Sequence, residues 1–198
     1  PGVAIVDGTG TVTAVGDGRT TVTATTEEGG YAASAEVTVD LNGPVIAWVG
    51  PSLVWQNETV TMAVYAEDHV TGVASLSVTL DGQPRGTEFT LSPLELSAGD
   101  HVIRAVAADR AGNETVREFR LVIDVDAERL ADILRIGAAR GWIRNEGLLN
   151  SLTAKARHAA AVQGDPEKLD NALNAFEAEV KAQEGKGIDA AFARILLD

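Results

Sequence analysis

The chain has 198 residues, 45% of them hydrophobic, no cysteine and a net charge of −13. This composition belongs to a folded globular protein, excludes disulfide scaffolds and Cys-bound metals, and sets up a field that repels nucleic acid and anionic lipid. No apolar run nears the ~20 residues of a membrane-spanning helix and no basic-then-apolar leader opens the chain, so neither a nucleic-acid partner nor membrane insertion is expected.

Residues 1–41 read as short strands. Thr11-Val12-Thr13-Ala14-Val15 alternates polar and apolar positions, Gly16-Asp17-Gly18 signals a turn, and 20–25 alternates again. Glu28-Gly29-Gly30 marks a second turn before 31–39, which ends in Ala35-Glu36-Val37-Thr38-Val39. β-branched residues on alternating positions suit half-buried antiparallel strands. Three or four strands are too few to close a sandwich, for which about seven are usual.

Residues 44–124 carry enough strands for one small sandwich. The candidates are 45–49, 60–67, 74–80, 86–91, 99–109 and 114–124. Asp81-Gly82 favours a primed hairpin turn, and Ala111-Gly112-Asn113 supplies residues that tolerate positive φ.

The pattern changes at Asp124-Val125-Asp126. Residues 1–126 hold 18 acidic against 6 basic side chains, whereas 127–198 hold 11 against 10. Beyond the break the apolar spacing is helical. A first helix over 128–140 presents Leu130, Ile133, Leu134 and Ala138; a second over 146–163 presents Leu148, Leu149, Leu152, Ala156 and Ala159. Asp165-Pro166 supplies an N-cap and a first-turn proline for a third, with Leu169, Leu173, Phe176 and Val180 on one face. Gly185 and Gly187 interrupt it, and Asp189 starts a short fourth helix with Phe192, Ile195 and Leu196. The expected fold class is multidomain, all-β then all-α: Ig-like β-sandwich modules followed by a small helical bundle.

Three segments resemble known families. Val3-Ala4-Ile5-Val6-Asp7, Gly10-Thr11-Val12-Thr13-Ala14-Val15-Gly16, Thr21-Val22-Thr23-Ala24-Thr25 and Val37-Thr38-Val39 resemble the last strands of a bacterial Ig-like group 2 domain. Gly72-Val73-Ala74-Ser75, Leu80-Asp81-Gly82, Ser97-Ala98-Gly99-Asp100-His101 and the run Ala107 to Asn113 resemble a bacterial Ig-like module that links catalytic domains. Gly141-Trp142-Ile143, Asn150-Ser151-Leu152, Lys155, Ala175-Phe176, Val180-Lys181-Ala182-Gln183, Gly185-Lys186 and Ile188 resemble the FIMAH domain, a C-terminal helical module of secreted bacterial hydrolases, lyases and peptidases. The expected domains are therefore 1–41, the C-terminal part of a group 2 domain; 42–125, an Ig-like sandwich; and 126–198, a FIMAH-like bundle. Pro1 in place of Met, with only the end of the group 2 pattern present, leads us to expect a piece of a longer protein.

Catalytic groupings are not expected. His69, His101 and His158 show no metal-binding spacing, and neither a Walker A loop nor a G-x-S-x-G elbow occurs. Adjacent Glu67 and Asp68 point to opposite faces if extended, unlike acids that flank a glycosidic bond. Calcium is the one candidate cofactor. Oxygen donors are plentiful at Glu67, Asp68, Asp81 and Asp100, with Asp109, Asn113, Asp124 and Asp126 as the preferred set, although no EF-hand loop is present. Carbohydrate contact rests on exposed aromatic faces; Trp55, at an expected loop end, is the leading candidate, followed by Trp142, Tyr65 and Tyr31, while Trp48, in an apolar run, is expected to pack and Trp142 also fits a cap on the bundle core.

The resemblances imply a non-catalytic accessory region of a secreted multimodular enzyme acting on polysaccharide. The implied partners are a catalytic domain N-terminal to this region and a polysaccharide or cell wall; the location is extracellular or at the cell surface. The alternative is a purely structural spacer with no ligand of its own.

Overall fold

The computed structural model describes residues 2–197. Among them twelve strands precede four helices. The strands are β1 Ala4–Val6, β2 Val12–Ala14, β3 Gly18–Thr25, β4 Ala32–Val39, β5 Val45–Val49, β6 Leu53–Trp55, β7 Val60–Glu67, β8 Val73–Leu80, β9 Gln83–Arg85, β10 Glu88–Leu91, β11 Gly99–Asp109 and β12 Glu114–Asp124. The helices are α1 Ala127–Ala139, α2 Glu146–Val162, α3 Pro166–Gln183 and α4 Ala190–Leu197. The strands form two ribbons, β1-β2 and β3-β4, and two sheets ordered β10-β7-β5 and β6-β12-β11-β8-β9. By compactness the chain divides into one unit of 1–49, 63–89 and 103–119 and a second of 50–62, 90–102 and 120–198.

In the first unit the antiparallel ribbons lie over 4–14 and 18–39, with Thr20 opposite Val37 and Val22 opposite Ala35. No residue from 2 to 38 is buried; the first is Val39. Ile5, Val6, Val12, Val15 and Tyr31 stay exposed. The later strands supply the buried side chains of this unit. Ile46, Val64, Val78, Leu80, Ile103, Ala105 and Ala107 are all inaccessible or nearly so. β5 pairs with β7, setting Ala47 against Tyr65, and β8 pairs with β11, setting Val78 against Ala105.

The β8–β9 hairpin turns on Asp81 (φ 49°) and Gly82 (φ 78°), the two left-handed residues that a type I′ turn requires. The expected strand over 86–91 is β10, shortened to Glu88–Leu91, and an unexpected short strand, β9, precedes it in the other sheet. Pro84 cannot donate to a second neighbour, and β9 is accordingly an edge.

In the second unit β6 runs parallel to the end of β12, with Val54 opposite Ile123 and Trp55 opposite Asp124. Three residues are too few to carry an alternating signature, and Trp55 reads from sequence as a loop end. The helices are capped as their sequence requires: Asp126, Asn145 and Asp165 accept from the backbone N–H of Arg129, Leu148 and Lys168, respectively. Their apolar stripes meet in a core of Ile133, Leu134, Leu152, Ala156, Phe176, Val180, Ile188 and Phe192. Leu94, from the loop after β10, also belongs to this core. Its φ of 62° is unusual for leucine. Its side chain is only 4% exposed, and its N–H donates to Gln56 O.

Candidate functional site

Three carboxylates of the first unit converge. Asp40 follows β4, Asp68 follows β7 and Asp109 ends β11; one oxygen from each lies within 4.8 Å of the others. Asp40 is 9% and Asp109 3% exposed. Each carboxylate folds a loop around itself. Asp68 Oδ1 accepts from the N–H of Val70, Thr71 and Gly72 at 3.2, 2.9 and 2.6 Å. Asp40 Oδ2 accepts from Thr71 N (3.2 Å) and Thr71 Oγ1 (2.6 Å). Asp109 Oδ1 accepts from Gly112 N and Asn113 N, and Oδ2 from Asn113 Nδ2 at 2.7 Å. Asn113 Nδ2 also donates to Asp40 O at 3.1 Å, joining the loop after β11 to the link between β4 and β5. Burial pushes the Asp109 carboxyl up, but the side-chain and backbone donations of Asn113, with those of Gly112 and Ala111, outweigh it and hold the group below the ordinary aspartate value.

Calcium binds six to eight oxygens at about 2.3–2.6 Å, so two of its ligands stand no more than about 5 Å apart. The spread of these three oxygens is compatible with that limit. Several of these oxygens already accept hydrogen bonds from the surrounding loops, Asp68 Oδ1 from three N–H groups and Asp109 from both Asn113 and Gly112.

Of the four expected metal residues, Asp109 and Asn113 sit together in this cluster. Asp124 and Asp126 are placed in the second unit. Asp124 Oδ1 accepts from Val125 N, and its carbonyl accepts from Gln56 N. Asp126 caps α1, its Oδ1 accepting from Arg129 N while Arg129 Nη1 meets Oδ2. Asp40 is the residue that sequence reading missed. It stands in the segment Asp40-Leu41-Asn42-Gly43-Pro44, where nothing but a turn is signalled.

The aromatic candidates differ in setting. Tyr65 is 56% exposed on the outer face of the β5–β7 pair, where Val45 (72%), Ala47 and Val49 (56%) are also exposed. Trp55 is half-buried, and the Arg129 guanidinium covers its ring 3.6 Å from the centroid. Trp142 is half-buried, tilted against Phe192 at 5.2 Å, with Arg140 over its ring at 4.9 Å. Trp48 packs between Phe119 and Phe89. As for the histidines, His69 Nδ1 lies 3.6 Å from Glu67 in an exposed pair, buried His101 bonds Ser97 O through Nε2, and His158 is exposed on α2.

No family model matches the chain, and no curated protein does. Parts of the chain are similar to solved structures. The CARDB domain of the PF1109 protein from Pyrococcus furiosus, in complex with di-metal ions, is 15% identical and matches 44% of this chain and all of that one at a TM-score of 0.34. The fibronectin(III)-like modules of Clostridium thermocellum CbhA are 19% identical over 57% of this chain and 65% of theirs, with a TM-score of 0.34. The PKD1 domain of Vibrio anguillarum Epp is 18% identical over 43% of this chain and the whole of its own, with a TM-score of 0.33.

Proposed function

We propose that the chain is a non-catalytic accessory region of a secreted multimodular enzyme, one that holds its catalytic partner at a polysaccharide or cell surface. In this reading 1–41 is the end of a group 2 Ig-like domain, 42–125 an Ig-like sandwich and 126–198 a FIMAH-like bundle. Tethering of this kind raises the effective substrate concentration without new chemistry. The observation that carries the reading is Tyr65: a large aromatic left open on a sheet face flanked by Val45 and Val49. A flat apolar strip of that sort suits the faces of sugar rings. Calcium at Asp40, Asp68 and Asp109 would brace the loops around the sandwich and forms part of the same proposal.

The test is co-sedimentation of the full chain with insoluble polysaccharides, cellulose, chitin and peptidoglycan among them. Binding to one of these is expected, with loss in Tyr65→Ala at an unchanged melting temperature. Retention on none would overturn the binding role and leave the spacer. A specific observation already favours that second reading: the rings of Trp55 and Trp142 are covered by Arg129 and Arg140.

A further inference from the structure

The link between β4 and β5 holds the chain's one Asn-Gly pair, Asn42-Gly43. Asn42 is exposed, and its Nδ2 donates to Asp17 Oδ2. The orientation of the amide is forced, because an ionised carboxylate has no proton to give. Asp17 Oδ1 accepts from Leu41 N at 2.7 Å, so one carboxylate grips the link at two points. Asp17 stands just ahead of β3, and this clamp ties the start of the β3–β4 ribbon to the segment that leaves it. Asn42 also meets its neighbours through the main chain: its N–H donates to Asp40 Oδ1 at 3.3 Å, and its carbonyl accepts from Asn113 Nδ2 at 3.5 Å.

Residue 43 is glycine for a reason of packing. A Cβ there would stand 2.6 Å from Thr115 Oγ1 and 3.1 Å from the carbonyl carbon and oxygen of Glu114. Any side chain would have to displace the start of β12, so the residue after Asn42 carries none. Among the described residues no acceptor takes the Gly43 N–H. An exposed carboxamide is therefore followed by a nitrogen that has no hydrogen bond to give up and no side chain to shield it. The other asparagines lack this combination. Asn150, Asn171 and Asn174 lie within α2 and α3, where the next N–H is spent on the helix. Asn57, Asn113 and Asn145 each precede glutamate.

We propose that Asn42 is a site of self-modification, a slow covalent switch on the attachment of the β3–β4 ribbon. Solvent base removes the Gly43 amide proton, and the nitrogen attacks Asn42 Cγ. The new N–Cγ bond closes a succinimide ring as the Cγ–Nδ2 bond breaks, and the departing nitrogen takes a proton from water and leaves as ammonia. A water molecule then adds to one of the two ring carbonyls and opens the ring. Addition at Cγ breaks the new N–Cγ bond and gives aspartate. Addition at the main-chain carbonyl breaks the original peptide bond and gives isoaspartate, in which the backbone runs on through Cγ. Either product sets a carboxylate where a donor faced Asp17, and like charges at that range disfavour each other. A two-stranded ribbon is marginal in water by itself, so loss of the clamp loosens 18–39.

The test uses the full chain, held at mildly alkaline pH and then mapped by peptide mass spectrometry. Asn42 is expected to gain the mass of an amide-to-acid exchange ahead of every other asparagine, and more slowly at mildly acidic pH. Asn42→Gln, which needs a larger ring, should show no gain at that position. Asn42→Asp carries the product's charge from the start; amide hydrogens of 18–39 should exchange faster in it than in the parent, while those of the β8–β11 pair keep their protection. The proposal is overturned if Asn42 keeps its amide, if another asparagine loses its own first, if the gain is independent of pH, or if Asn42→Asp protects 18–39 as well as the parent does.

Discussion

Gly137 sits in the last turn of α1, and glycine within a helix is ordinarily a cost. In an open helix, replacing it by alanine gains about 1 kcal/mol. Here the sign should reverse. A methyl group at Gly137 would stand 2.3 Å from both Cε1 and Cζ of Phe192 and 3.1 Å from Cδ1. Carbon atoms sit comfortably at about 3.5–4.0 Å, so the ring would have to retreat by more than about 1 Å. It has little room to do so: Phe192 is 1% exposed and lies against Trp142. Overpacking of this kind costs about 1–3 kcal/mol, and a retreat this large belongs near the top of that range. After subtracting the gain in propensity, Gly137→Ala is expected to destabilise the helices by about 2 kcal/mol. Urea unfolding followed by far-ultraviolet circular dichroism reads this as a lower midpoint at constant slope. In a Phe192→Leu background the ring is gone and the same substitution should become neutral or favourable, giving a clear coupling between the two sites. A midpoint that stays or rises in Gly137→Ala with Phe192 intact would refute the close approach of α1 and α4.

Two further outcomes follow from the acidic cluster. The folded Asp109 carboxyl holds its proton more weakly than an unfolded one, so in acid the unfolded state takes up more protons. The stability this group contributes is present above the ordinary aspartate value near pH 4 and is lost as pH falls through the lower folded value. Melting curves below about pH 5 should therefore be less pH-dependent in Asp109→Asn than in the parent; equal dependence would remove Asp109 from the account. Calcium is expected to raise the melting temperature of the full chain and chelator to reverse it, with the rise absent in Asp68→Asn. Identical melting in calcium and in chelator would dispose of the cation reading.

The sequence was most readable where one residue type settles a local question. Asp165 announces a helix start because a short side-chain oxygen satisfies an otherwise orphaned N–H, and it caps α3; Asp126 and Asn145 cap α1 and α2 in the same way, although neither was singled out as a cap from the sequence. Asp81-Gly82 announces its turn because both residues tolerate positive φ. Asp109 and Asn113 were legible as a pair because they close one short loop around Gly112. Asp40 was not, since only tertiary structure carries it to residues 68 and 109. The same holds for Trp55. Its partner Arg129 reaches it only because β6 runs beside β12 and α1 starts three residues beyond β12's end. β9 was not legible, because Pro84 argues against a strand and three residues are too few to show alternation.

The place of Leu94 bears on how this protein can be taken apart. Composition invites a cut at Asp126, where strand-like sequence gives way to helix-like sequence. A gene fragment beginning there would carry every helix and yet lack a side chain that fills their shared interior, leaving a leucine-sized hole open to water. The complementary fragment would present that same leucine, still twisted into its left-handed backbone, with nothing to bury it. Whatever severs the polypeptide at that bond separates a plug from its socket.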